Sequence, residues 1–341
     1  MNMLVADIGG TQSRFFRFSC EAGEISIKEG RTLSSAHTSF AEMLGEILAT
    51  WPETAKKIKD VSLLVFAAAG PVREGRVFMT NAHFSVDPAV AGRFFSRARC
   101  LVMNDFEAQA WACLTESMRT ASLILPGRMA GTGVPSGDFP SLSGLDRNVS
   151  PMAVTGAGTG LGAAWLMPGR TQDDTPFVLP SEAGHMAFPF ENAAPERDVA
   201  AFLSDRHGGV PVTAEHVLSG PGLSLLHELL TGRTEDPAVF TREPDFAASS
   251  CCRLFARFYG RFCRMIALAL LPQAVVLTGG VAGRTPVLVR HPEFSREFFR
   301  ASGEQKRFLE SLPVWLNVHP QAGLWGAARA GAAWMQGHAR P

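Results

Sequence analysis

Short apolar runs that stop at glycine or at a polar pair alternate along this chain with stretches whose apolar residues recur every three to four positions. Leu4 to Asp7 is such a run and ends at Gly9 and Gly10, while Arg14 to Ser19 and Ile25 to Leu33 read as hairpin strands around a Glu21 to Gly23 turn. Ser39 followed by Glu42 forms a capping box, and Phe40, Met43, Leu44, Ile47 and Leu48 share one face of the predicted helix. Val61 to Ala67 and Cys100 to Met103 have strand length. The second stops at Asn104 and Asp105 before a helical stretch from Phe106 to Leu114.

Beyond a Gly, Ser and Pro-rich excursion from Pro126 to Pro151, read as a surface loop, the opening pattern returns. Ala153 to Thr155, Ala163 to Met167 and Phe177 to Leu179 are strand-like, with a glycine cluster after the first. VADIGGTQSRFFRF and AVTGAGTGLGAAWL share the order strand, glycines, strand, which reads as two related sheet units facing a shared cleft. Asp245 to Leu271 is expected to be one amphipathic helix, stopped by Pro272 before the strand Ala274 to Thr278. An α/β chain of 341 residues with this repetition is expected to form two domains.

Composition narrows the function. Lys and Arg number 32 and Asp and Glu 32, so no net charge draws the chain to nucleic acid or to an anionic membrane. The longest apolar run, Met265 to Leu277, is broken by Pro272 and Gln273 and is too short to span a bilayer. MNMLVADIGG lacks a basic leader, which points to the cytoplasm. The six cysteines show no metal-ligating spacing and read as reduced thiols.

Three glycine turns each follow an apolar strand: Asp7, Gly9, Gly10 and Thr11; Gly156, Gly158, Thr159, Gly160 and Gly162; Thr278, Gly279 and Gly280. Such turns bring successive backbone N–H groups up to phosphate oxygens, although any single glycine pair also reads as an ordinary tight turn. No turn carries the Lys of a P-loop. Gly158, Gly160 and Ala163 match a dinucleotide-binding pattern, but Gly162 to Met167 reads as strand where that motif needs helix. Without the Lys, a nucleotide triphosphate needs Mg²⁺, and Asp7 is placed to hold one through water.

Asn81, Asn104, Asp105, Glu182, His185 and Glu215 are candidates to grip a polyol. Plainer readings stand beside them: Glu215 as an exposed first-turn helix residue, His185 as a satisfied core histidine, Asn81 as a turn residue. Asp105 is the candidate general base for phosphoryl transfer to a hydroxyl.

The blocks DIGGTQSR, AAAGPV, MTNAHF, NDFEA, TGAGTGLG, LPSEAGH, AEHVLSGPGL and LTGGV, in that order, resemble the bacterial glucokinase family, the hexokinase-like branch of the actin-type ATPase fold. The resemblance covers nearly the whole chain. It implies an α/β, two-domain actin-like ATPase (ribonuclease H-like) fold with mixed sheets and an interdomain cleft. A small domain of residues 1–115 plus 319–341 and a large one of 116–318 are expected.

The implied reaction is transfer of the γ-phosphoryl of MgATP to the 6-hydroxyl of glucose. By motif, Asp105 is the base, and Asn81, Asn104, Asp105, Glu182, His185 and Glu215 bind substrate. Ala6, Asp7, Ile8, Gly9, Gly10 and Thr11, with Gly156, Gly158, Thr159 and Gly160, form the phosphate loops. Gly279 and Gly280 lie near the adenosine. A homodimer is a family-level expectation.

Ser181 and Ala183 replace glycines common beside the sugar-binding Glu and His, and the 126–151 excursion is longer than usual. A kinase for another hexose or amino sugar, and a non-catalytic sugar sensor on the same fold, are the alternatives. Against the second, the first phosphate loop begins at Asp7, leaving no room for an N-terminal helix-turn-helix.

Overall fold

The computed structural model describes residues 1–10, 12–34, 37–51, 61–79, 82–127, 151–169 and 175–337. The chain divides into two compact units: Met1–Arg119, Leu166–Pro180 and His319–Pro341 form the first, and Thr120–Trp165 with Ser181–Val318 the second.

Strands β1 (Asn2–Ile8), β2 (Gln12–Glu21), β3 (Glu24–Ser34), β4 (Leu63–Ala68), the short β5 (Val72–Arg73), β6 (Arg76–Phe78) and β7 (Ser85–Val86), and β8 (Arg99–Asn104) belong to the first unit. Its main sheet runs β3-β2-β1-β4-β8, and β5, β6 and β7 form a separate antiparallel meander. β1 pairs antiparallel with β2 and parallel with β4, which pairs parallel with β8.

β1 is buried on both faces, which explains its unbroken apolar run. Leu4, Ala6 and Ile8 enter one core with Phe40, Met43, Leu44 and Ile47 of the helix Phe40–Thr50. Met3 and Val5 enter the other, with Leu324, Ala327 and Ala328 of the helix Ala322–Met335. Each of the Val, Leu, Ile, Met and Phe side chains among them contributes about 1.5–3 kcal/mol on burial. Ser39 caps the first helix by accepting from the Glu42 N–H at 3.2 Å. Glu42 in turn accepts from the Thr38 N–H and hydroxyl, both at 2.8 Å, and these bonds hold its carboxyl below the usual range.

The second sheet has the order β12-β11-β10-β13-β14-β9, built from β9 (Ser122–Leu125), β10 (Met152–Ala157), β11 (Leu161–Met167), β12 (Phe177–Ser181), β13 (Ala274–Thr278) and β14 (Val314–Leu316). Stripped of the antiparallel edge strand β9, it repeats the order of the first sheet, and β10, β13 and β14 are parallel as β1, β4 and β8 are. Strand β11 occupies the place where a dinucleotide fold would have a helix.

The expected Asp245 to Leu271 helix is shorter at its start. A single turn, Phe246–Ala248, precedes Ser249, whose hydroxyl accepts from the Cys252 N–H at 3.1 Å and caps the helix Ser250–Leu270. A hydroxyl that satisfies a first-turn donor is worth about 1 kcal/mol, so the helix begins there. Its buried face carries Phe255, Phe258, Tyr259 and Phe262, and the Tyr259 hydroxyl accepts from the Ala157 N–H at 3.2 Å, tying the end of β10 to the core.

All six cysteines are free, and burial pushes the Cys113 thiol up to about 12. No helix among the described residues is long and apolar enough to cross a membrane. Most of the Pro126 to Pro151 excursion lies outside the described residues.

Candidate active site

In the first unit, parallel pairing sets Ile8, Ala68 and Asn104 in register at the carboxyl ends of β1, β4 and β8, where open sheets present ligand-binding groups. Asp7 pairs with Arg14 across β1 and β2, and Arg14 Nη2 lies 3.2 Å from Asp7 Oδ2. Burial pushes the Asp7 carboxyl up, and the Arg14 charge opposes that rise. The Gly9 N–H donates to the Gln12 carbonyl at 3.1 Å, so this turn spends one of its own donors on closing itself. Ala6 and Ile8 are wholly buried in the core, and Thr11 and Asn81 lie outside the described residues.

Asn104 is the N-cap of the helix Asp105–Ala112. Its Oδ1 accepts from the Phe106 N–H at 2.8 Å, its Nδ2 donates to the Gly70 carbonyl at 3.0 Å, and its own N–H donates to Glu107 Oε2 at 3.0 Å. Burial raises the Glu107 carboxyl above its ordinary range, and the Asn104 N–H offsets part of that rise. Gly70 has φ +155°, and a Cβ there would lie 1.9 Å from the Phe78 carbonyl oxygen, so only glycine brings its carbonyl to Asn104. Asp105, the first helical residue, is held by the Phe106 N–H at 3.0 Å to its Oδ1.

The second unit brings Glu182, His185 and Glu215 together. His185 Nδ1 is 2.8 Å from Glu182 Oε2, and Nε2 is 3.7 Å from Glu215 Oε1. Glu215 Oε2 accepts from the Leu161 N–H at 2.9 Å. A Cβ on Gly160 would sit 2.3 Å from that oxygen, so the glycine makes room for the carboxylate. Ser181 Oγ accepts from the Ala183 N–H at 3.0 Å, and the Ala183 methyl is buried. These two departures from glycine are absorbed locally.

The second glycine turn is closed by the Gly158 N–H on the Gly160 carbonyl at 2.7 Å, and pinned by the Gly220 N–H on the Gly158 carbonyl at 2.8 Å. Gly156 lies opposite Thr278 in the pairing of β10 with β13, so the second and third turns leave the same sheet edge. Between them opens a cavity of about 630 Å³, lined by Gly158, Thr159, Gly220, Pro221, Ser224, Asp236, Gly280, Arg284 and Thr285 among others. That volume suits a nucleoside-sized ligand. Of the expected cofactor residues in this unit, Gly158, Thr159 and Gly280 line it, whereas Gly156, Gly160 and Gly279 do not.

Gly70, Glu107, Gly220 and Arg284 had no assigned role in the sequence. Asn104 and Glu107 carry the spacing of a capping box, and the SGPG segment has the signature of a capped helix start, so both signals were present.

Two sheets of the same strand order, each releasing glycine turns at the carboxyl ends of its parallel strands, define an α/β protein of the actin-like ATPase class. The glucokinase family model matches residues 4–333. A glucokinase from Chromohalobacter salexigens is 31% identical over 337 residues, covering 96% of this chain and 96% of that protein. The structure of a glucokinase from an Antarctic psychrotroph superposes with a TM-score of 0.74 at 26% identity, covering 97% of this chain and 98% of that one. A ROK family glucokinase from Streptomyces griseus, solved in complex with glucose and AMPPNP, shares the fold at TM-score 0.58 and 19% identity, over 97% and 99% of the two chains. The chain belongs to the glucokinase family.

Proposed function

We propose that this chain is an ATP-dependent hexose kinase that transfers the γ-phosphoryl group of ATP to the 6-hydroxyl of glucose. The observation that carries the reading is Glu215. One of its carboxylate oxygens is fixed on the Leu161 N–H beside the second glycine turn, and the other faces His185, so polyol-binding groups and a phosphate turn are mechanically one piece.

Asn104, Glu182, His185 and Glu215 bind and orient the sugar hydroxyls, and Asn81 is proposed to join them. Asp105 accepts the proton of the attacking 6-hydroxyl, help worth about 10²–10⁴ in rate. The N–H groups of Gly10, Thr11, Thr159 and Gly160 are proposed as donors for the phosphates, with Gly279 and Gly280 at the adenosine.

Among the described residues there is no group of three or more His, Cys, Asp or Glu able to cage a metal. A carboxylate at a strand end, Asp7, would hold Mg²⁺ through water, and the ion would supply charge neutralisation for the phosphates.

A cytoplasmic location and a homodimer complete the proposal. They rest on the sequence and the family resemblance, and fractionation and size-exclusion chromatography test them. The two units of the structure are proposed as the two domains.

The deciding experiment is a coupled ADP-release assay across glucose, mannose, fructose, glucosamine and N-acetyl sugars. Preference for glucose, with Asp105→Ala losing nearly all transfer while still binding glucose, is expected. A higher kcat/KM for another sugar, or full activity of Asp105→Ala, would sink the assignment.

A further inference from the structure

We infer that Arg284 binds the polyphosphate of the nucleotide, supplying by side chain a positive charge that glycine turns alone do not provide. The inference rests on assigning the cavity of the second unit to the nucleotide.

The guanidinium lies over Gly280: a methyl there would be 3.1 Å from Nη2, 3.3 Å from Cζ and 3.7 Å from Nη1. Gly280 lines the cavity together with Gly158 and Thr159, so the charge sits where the turn proposed for the adenosine adjoins the turn proposed for the phosphates. Arg284 is exposed, and among the described residues its side chain has no hydrogen-bond or ion-pair partner. The one acidic side chain in the lining, Asp236, has its Oδ1 engaged by the Ala238 N–H at 2.7 Å.

An unpaired arginine on a concave wall beside backbone turns is a fork for phosphate oxygens. The other cationic lining residue, Arg242, stands with Asp236, Ala238 and Thr241 on the segment that follows the helix Gly220–Thr231, away in sequence from both turns. The same closed turns strengthen the case. Gly158 has already spent its N–H on Gly160, so the loop offers fewer donors than its glycine content suggests.

Calorimetric titration of the full chain with ADP and, separately, with adenosine distinguishes a phosphate contact from a base or wall contact. Arg284→Gln is expected to weaken ADP binding about tenfold or more, as loss of a charge-assisted bond does. Adenosine affinity is expected to stay within about twofold of wild type, since adenosine offers the guanidinium no phosphate to grip. Arg284→Lys, which keeps the charge but loses the fork, is expected to fall between. Equal losses for ADP and adenosine, or unchanged ADP binding, would overturn the inference. A wild-type chain that binds ADP but phosphorylates no hexose overturns the kinase reading alone. One that binds neither ADP nor adenosine overturns both.

Discussion

The side-chain amide of Asn104 donates to the Gly70 carbonyl at 3.0 Å across 34 residues of sequence, while its oxygen accepts from the Phe106 N–H. The oxygen also takes the Glu107 N–H of the capping box, so both ends of the amide are engaged and the second Nδ2 hydrogen is left to meet a sugar.

Asn104→Asp keeps a good helix cap but removes both amide hydrogens. Its melting temperature is expected to fall, because a carboxylate oxygen would face the Gly70 carbonyl where the amide now donates, and KM for glucose is expected to rise. Asn104→Ala is expected to lose stability as well, by about 1 kcal/mol for the missing cap. Thermal melts and steady-state kinetics on the two variants separate these effects, and equal KM in Asn104→Asp and wild type would remove Asn104 from the sugar site.

Gly160→Ala forces a methyl to within 2.3 Å of Glu215 Oε2, and the carboxylate must leave the Leu161 N–H. Loss of such a charge-assisted bond costs about 1.5–3 kcal/mol, so KM for glucose is expected to rise by roughly tenfold or more. A variant with wild-type kinetics for both substrates would show that Glu215 does not need this anchor.

Burial, then the stacked His207 ring at 3.7 Å, lowers the pKa of His216 from 6.5, and its Nδ1 accepts from the Thr213 N–H at 3.2 Å. The folded state thus holds His216 neutral where the unfolded chain takes up a proton. The stability it contributes is full above pH 6.5 and is lost as pH falls through that value toward the lower folded pKa. His291 and His319 shift in the same direction, again chiefly by burial. Melting temperature is expected to drop between pH 7.5 and 5.5, with a shallower drop in His216→Gln. Identical slopes in the two proteins would contradict the assignment.

Arg261 is 3% exposed and donates to Glu196 at 2.6 and 2.8 Å and to Glu297 at 3.0 Å, both of them buried carboxylates. Arg261→Met leaves those charges without their main partner, an effect of about 3–5 kcal/mol. At about 2–4 °C per kcal/mol for a domain of this size, the expected fall in melting temperature is on the order of 10 °C. Calorimetry that finds no loss would mean that Arg257, which reaches Glu196, and Arg264 and Arg300, which reach Glu297, hold the two carboxylates without Arg261.

Local patterns are what the sequence by itself determined: the strand runs, the Ser39 cap, and the three points where a strand gives way to glycine. Those features depend on neighbours within a few residues, so periodicity and turn chemistry are enough to read them. From them came the reading of two related sheet units and, by motif, the family. Tertiary structure decided the rest, because the deciding partners are distant in the chain. Gly70 reaches Asn104, Leu161 fixes Glu215 over 54 residues, and Arg284 comes to lie over Gly280 at the wall shared with Gly158. The segment Leu166–Pro180 joins the first unit although its neighbours in sequence belong to the second. The long helix begins not at Asp245 but after Ser249, whose hydroxyl accepts from the Cys252 N–H. Residue types and spacing name the groups able to bind, but only the packed chain shows which of their hydrogen bonds are already spent.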